Sequence, residues 1–182
     1  MKNDTLHTHQ HDSIRPVRIL AEIAVLSALY VAMTVLLAPV SYGPIQFRIS
    51  EGLVILVAAR RHLIMFVPIG CFIANLFSPY AGPWDLIFMP LVSMLGVLPM
   101  YILRKRWLLI SSWAYALVTA VGVGLMLSVL TEKGFFILFG SVLGSQLIIM
   151  TLAFFAFRGY LMTTGKKEQR KETNISKERS SG

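Results

Sequence analysis

The sequence predicts an all-α integral membrane protein of six transmembrane helices, the second one short, with an external loop dipping into the membrane. Three observations carry that prediction. Five hydrophobic stretches and one shorter segment divide a chain that is 55% hydrophobic with a mean hydropathy of +0.67, far more apolar than a soluble domain of this length requires. The basic residues fall in alternate gaps between those stretches. Lys2, Arg15 and Arg18, then Arg60 and Arg61, then Arg104, Lys105 and Arg106, then Arg158 and the six basic residues of the tail share one side; only Arg48 and Lys133, of seventeen, lie on the other. Positive charge resists translocation, so the basic side is cytoplasmic, and the chain is a multi-pass protein of the cell membrane with both ends inside. The third observation is the brevity of the second segment, which forces the preceding loop into the lipid.

Residues 1–16 are polar and read as a flexible cytoplasmic arm, residues 17–160 as the six-helix domain, and residues 161–182 as a disordered basic tail low in apolar content. The first span, Ile19 to Leu37, stops at Ala38-Pro39, because the residue before a proline avoids helical geometry. It is longer than the apolar core of a signal peptide and further spans follow, so no cleavable signal is expected. A loop from Val40 to Phe47 holds Gly43-Pro44, and a short segment runs from Ile49 to Ala59 before Arg60-Arg61-His62 turns the chain. The third span, Leu63 to Phe77, carries Pro68. Ser78 to Trp84 is rich in turn residues, and the fourth span, Asp85 to Leu103, is interrupted by Pro90 and Pro99. Spans five and six cover Leu108 to Leu130 and Phe135 to Phe157. No internal repeat is evident, unlike carriers built from inverted halves.

The short segment sets the depth of its own polar residues. An α-helix rises ~1.5 Å per residue through a hydrocarbon core ~30 Å thick, so Glu51, nine residues before Arg60, lies roughly 14 Å from the inner edge. Irregular backbone at that depth is tolerated only inside protein or beside a wet cavity. A cavity open to the outside and floored by Gln46, Arg48, Ser50 and Glu51 follows.

Arg48 and Glu51 are three apart and share a helix face where they can pair. They read as a ligand site, with Gln46 and Ser50 adding hydrogen bonds, or as an ion pair fastening a helix end and its dipole. Asn75, deep in span three, suits either ligand contact or interhelical hydrogen bonding. Trp84 and Asp85 are a stacking and hydrogen-bonding wall at the cavity mouth, or an interfacial anchor and an N-cap. Tyr42 is a lid aromatic or a belt residue. Gln146 faces the same cavity or glues helices together. Glu22 sits near the inner end of span one, within i−4 reach of Arg18. Ala24, Ala28 and Ala32 recur every four residues, a stripe that lets another helix approach closely, whether within this chain or from a partner. Gly140 and Gly144 form a weaker GxxxG signal.

Several classes are excluded. The basic residues lack the aromatic interleaving of a nucleic-acid face. Cys71 is the single cysteine, so there is no disulfide framework. No GxxxxGK[ST] motif, nucleophile–base pair, HExxH or acidic metal cluster appears, and His7, His9 and His11 stand without supporting ligands. The expectation is a protein that is not an enzyme and carries no cofactor or metal, so uphill transport would draw its energy from elsewhere.

The stretch Ala38-Pro39 through Gly43-Pro44-Ile45-Gln46-Phe47-Arg48-Ile49-Ser50-Glu51 resembles the signature of the queuosine-precursor transporter (QueT) family. Gly70-Cys71-Phe72-Ile73-Ala74-Asn75-Leu76 and Trp84-Asp85-Leu86-Ile87-Phe88 are similar to its next two blocks, in order, and the likeness covers roughly residues 17 to 160. The resemblance implies a substrate-binding S component of an energy-coupling factor (ECF) transporter. Such a protein captures a vitamin-like molecule outside and works with a transmembrane coupling protein and two cytoplasmic ATPases. A first-helix AxxxA stripe contacts the coupling protein in such systems, and Ala24, Ala28 and Ala32 match it. Where the family tends to have Asn in span five and Gly-Glu in span six, this chain reads Val118-Thr119-Ala120 and Leu143-Gly144-Ser145, and Gly52 replaces the usual Ala. The substrate so implied is a 7-deazaguanine precursor of queuosine. Its adjacent N–H donors suit a carboxylate such as Glu51, with Trp84 or Tyr42 stacking and Gln46 and Asn75 reading the carbonyl. Another vitamin or small heterocycle, and a stand-alone transporter without the ECF module, remain open alternatives.

Overall fold

The computed structural model describes the backbone of residues 4–180 apart from 44–45 and 104–106, and the side chains of residues 16–161 with the same two gaps. His7, His9 and His11, Pro44, the Arg104-Lys105-Arg106 run and the basic tail from Lys166 therefore lie outside the described side chains. The elements in chain order are α1 (Asp4–Leu36), α2 (Ala38–Ser41), a 3-10 segment (Ile49–Ala58), a second 3-10 turn (Arg61–Met65), α3 (Phe66–Asn75), a π-helical turn (Trp84–Phe88), α4 (Met89–Leu103), α5 (Leu108–Thr131) and α6 (Phe135–Ser180). Among the described residues there is no strand.

Four helical stretches are long and apolar enough to cross a membrane: Pro16–Leu36, Trp84–Leu103, Leu108–Thr131 and Phe135–Leu161. Two more are apolar but shorter, Ile49–Ala58 and Arg61–Asn75. The chain is thus a membrane-embedded multi-pass protein with four full-length spans, and the two remaining expected spans are short helices. Residues 4–16, read from sequence as a flexible arm, form the opening turns of α1. Residues 162–180, read as a disordered tail, continue α6; they are rich in Lys, Glu, Gln and Arg, straight side chains that lose little freedom in a helix.

Prolines mark several helix boundaries, but Pro16 lies inside α1 and Pro99, expected to interrupt the fourth span, lies inside α4, which continues through it. Leu37 leaves helical geometry at φ −104°, ψ 27°, and Pro39 opens α2, where its missing N–H costs nothing. Pro68 occupies the first turn of α3. Ahead of Pro90, which has no N–H for the Leu86 carbonyl, the backbone widens and the Met89 N–H reaches back five residues to the Trp84 carbonyl.

The segment Ile49–Ala58 is a 3-10 helix and not the α-helix expected. Glu51, Val54 and Val57 are buried at every third position, the repeat at which 3-10 side chains eclipse. The β-branched residues and Gly52 in this run lower its α preference. At ~2.0 Å per residue Glu51 stands about 18 Å from Arg60, farther than an α-helix would carry it.

Helices α1, α3, α4, α5 and α6 pack each against the next in that order, and the 3-10 segment closes the arc by packing on α1, α4 and α6. Tyr30, Val54, Phe66, Met100, Tyr115 and Met150 are among the fully buried core residues. Among the described residues, Arg18, Arg60, Arg61 and Arg158 gather at one end of this bundle. Glu22 of α1 accepts from Arg18 (3.1 Å), from the Arg60 guanidinium and from His62 (2.8 Å). The Arg61 guanidinium lies 5.3 Å from the centroid of the Tyr101 ring near the close of α4. Ala59, Trp107 and Arg158 line one groove there.

Candidate functional site

At the opposite end, residues 41–43 and 46–51 fold inward. Gln46 adopts φ 52°, in the left-handed region that non-glycine residues seldom occupy. The turn is held by Gln46 N–H to the Gly43 carbonyl (2.9 Å) and Phe47 N–H to the Val40 carbonyl (3.1 Å). It buries Gln46 and Arg48, which retain 1% and 3% of their exposure. A polar residue in a costly backbone conformation with its side chain buried is the kind of position held for function.

Arg48 and Glu51 do not pair. All ion pairs among the described residues converge on Glu22. The Arg48 guanidinium instead lies 5.1 Å from the centroid of the Tyr42 ring, with Nε donating to the Ser41 carbonyl at 3.3 Å. Glu51 is held by neutral donors, the Tyr30 hydroxyl at 2.7 Å on one oxygen and the Tyr115 hydroxyl on the other. Two glycines make room for those rings: a Cβ at Gly70 would meet Tyr30 at 3.1 Å, and one at Gly96 would meet Tyr115 at 3.1 Å. The reason Arg48 and Glu51 separate is that extended backbone at Arg48 puts it outside the helix that starts at Ile49.

The other expected residues divide. Tyr42 is buried, and its hydroxyl donates to the Ala74 carbonyl at 2.5 Å, so it walls the interior and is no belt residue. Ser50 hydrogen-bonds to Thr34 (2.6 Å), tying the 3-10 segment to α1. Asn75 closes α3, donating to the Asp85 backbone carbonyl at 2.8 Å. Asp85 is fully buried inside the π-helical turn and caps nothing; Pro83 holds the N-cap position without a side-chain bond. The Ser78 hydroxyl approaches the Asp85 carboxylate, but no hydrogen bond of ordinary geometry forms. Trp84 is not drawn in: it is 44% exposed, with its ring edge-on to Phe88. Gln146 is buried on α6, three and seven residues before Ile149 and Ala153, whose side chains face Gly52. That helical spacing turns Gln146 toward the 3-10 segment.

What unites this region is unmet hydrogen bonding. Ser41 Oγ, both amide atoms of Gln46, Asn75 Oδ1, both Asp85 carboxylate oxygens and Gln146 Oε1 are buried without a hydrogen-bond partner. Buried polar atoms are nearly always paired, since each orphan costs about 1–3 kcal/mol. Arg48 and Cys71 each lie within electrostatic reach of both Glu51 and Asp85. Such a set is ready for a ligand with both donors and acceptors. By contrast Thr119, one of the departures noted above, donates back to the Tyr115 carbonyl of its own helix at 2.9 Å.

Sequence reasoning missed Tyr30 and Tyr115. The signal was present: Ser27, Tyr30 and Thr34 on α1, and Ser112, Tyr115 and Thr119 on α5, are polar residues at helical spacing on one buried face. On the other side of α1, Ala24, Ala28 and Ala32 are exposed, so the stripe is left largely uncovered by this bundle. Gly140 and Gly144 likewise face open space.

A curated relative, "Queuosine precursor transporter QueT" of Lactococcus lactis subsp. cremoris (strain MG1363), is 47% identical over 58 residues, 31% of this chain. The alignment spans about a third, 34%, of that relative's length. No solved structure matches. The family model described as QueT transporter matches residues 20–160, which contain the inward-folded loop, both tyrosines and the π-helical turn, and the chain belongs to that family.

Proposed function

We propose that this protein is the substrate-capture subunit of an ECF-type ATP-driven importer and takes up a 7-deazaguanine precursor of queuosine. The observation that carries the reading is the cluster of buried, unpartnered polar atoms on Ser41, Gln46, Asn75 and Asp85 beside Arg48 and Glu51. A guanine-like edge presents adjacent N–H donors and a carbonyl acceptor. Asp85 and Glu51 accept the donors, the Gln46 amide N–H meets the carbonyl, and Tyr42 offers a ring face. The cluster is separated from the basic end by roughly half a bilayer or slightly more. With the basic end in the cytoplasm, the ligand enters from outside.

The partners in this reading are a transmembrane coupling protein and two cytoplasmic ATPases. The exposed Ala24, Ala28 and Ala32 offer a helix of the coupling protein close approach. Titration of purified protein with a 7-deazaguanine tests the capture step. Glu51→Gln is expected to weaken binding at least tenfold, about 1.4 kcal/mol, and unchanged affinity removes Glu51 from the site. Ala28→Leu is expected to abolish co-purification of the coupling protein while leaving ligand affinity intact. Assembly that survives it rules out this stripe as the docking face.

A further inference from the structure

We infer that the groove at the basic end between the close of the 3-10 segment, the start of α5 and the last apolar turns of α6 binds an anionic glycerophospholipid. The groove encloses about 900 Å³ and is floored by the small side chains of Ala58 and Ala59. Its walls are apolar and aromatic, with Trp107, Phe154 and Phe155 prominent. From Phe154 to Leu161 the α6 wall rises ~10 Å, a depth suited to the upper part of an acyl chain.

The choice of an anionic headgroup follows from charge. Arg158 is the sole ionisable side chain among the residues that line the groove, and no acid accompanies it. Among the described residues Arg158 makes no ion pair. At the same end Glu22 is already engaged by Arg18, Arg60 and His62. In sequence, Arg104-Lys105-Arg106 immediately precedes the groove residue Trp107. A half-exposed indole and a guanidinium without an ion-pair partner among the described residues, at the mouth of an apolar cleft, match a phosphodiester joined to a hydrocarbon chain, and basic pockets between spans are where such headgroups settle.

Native mass spectrometry of the purified full-length protein, exchanged into equal amounts of phosphatidylglycerol and phosphatidylcholine, tests this. At least threefold preferential retention of phosphatidylglycerol is expected. Arg158→Ala should reduce that ratio to near one, whereas Arg18→Ala, which alters a neighbouring groove that shares only Ala59 with this one, should leave it unchanged. Ala59→Phe fills the floor and should lower retention of both lipids, a check that does not depend on charge. Equal retention of the two lipids by the unaltered protein, or an undiminished preference in a folded Arg158→Ala protein, overturns the inference. Neither result touches the substrate site.

Discussion

Glu22 and Glu51 are both membrane-protein carboxylates that accept hydrogen bonds, yet their surroundings differ in kind. Glu22 keeps 24% of its side-chain exposure and is surrounded by Arg18, Arg60 and His62. Its charge is neutralised and its oxygens are claimed, which suits a fastening between α1 and the turn that follows the 3-10 segment. Glu51 is 3% exposed and receives only two neutral tyrosine hydroxyls. Tyrosines orient a carboxylate without cancelling its charge, and a carboxylate has about four acceptor sites. Asp85 carries the contrast further, buried with both oxygens unpartnered. Saturated hydrogen bonding distinguishes one end of the bundle, and unmet hydrogen bonding the other, where we propose the ligand binds.

That contrast can be broken by substitution. The largest effect is expected at Asp85. Asp85→Asn removes a charge from two unpartnered oxygens and should weaken 7-deazaguanine binding by tenfold or more, roughly 1.5–3 kcal/mol for hydrogen bonds to a charged group. Isothermal titration reads this, and wild-type affinity would place the ligand elsewhere. Tyr30→Phe comes next. It leaves one Glu51 oxygen without its donor, so a lower thermal midpoint and a few-fold loss of affinity are expected together. A loss of stability with affinity intact would make Tyr30 a packing residue alone. Glu22→Gln should have the smallest consequence, a slight drop in thermal stability with binding unaltered, because its partners are substantially exposed and screened. Impaired binding in that variant would erase the distinction between the two ends.

Much of the candidate site was legible before any coordinates. Gln46, Arg48, Ser50, Glu51, Asn75, Asp85 and Gln146 are all buried, as polar residues placed at depth within apolar spans should be. The expected Arg48–Glu51 pair failed because residue spacing presumes one continuous helix, and the helix begins only after Arg48. Trp84 stays outside for a related reason: the π-helical turn rotates Asp85 inward and leaves the neighbouring indole exposed.

Hydropathy and the alternation of Lys and Arg alone determined that this is a multi-pass membrane protein with one basic end, since burying peptide and charge in lipid is costly enough to leave its record in composition. Helix boundaries at Pro39 and Pro90 were equally local, a matter of a missing N–H. Tertiary structure alone decided that Glu51 rests on Tyr30 and Tyr115, residues 21 and 64 positions away in the chain, and that Gly70 and Gly96 clear the space for their rings. It also decided which side of α1 stays uncovered. Such pairings depend on how helices rotate and cross, and those angles are set by the packing of the whole bundle and by no single stretch of residues.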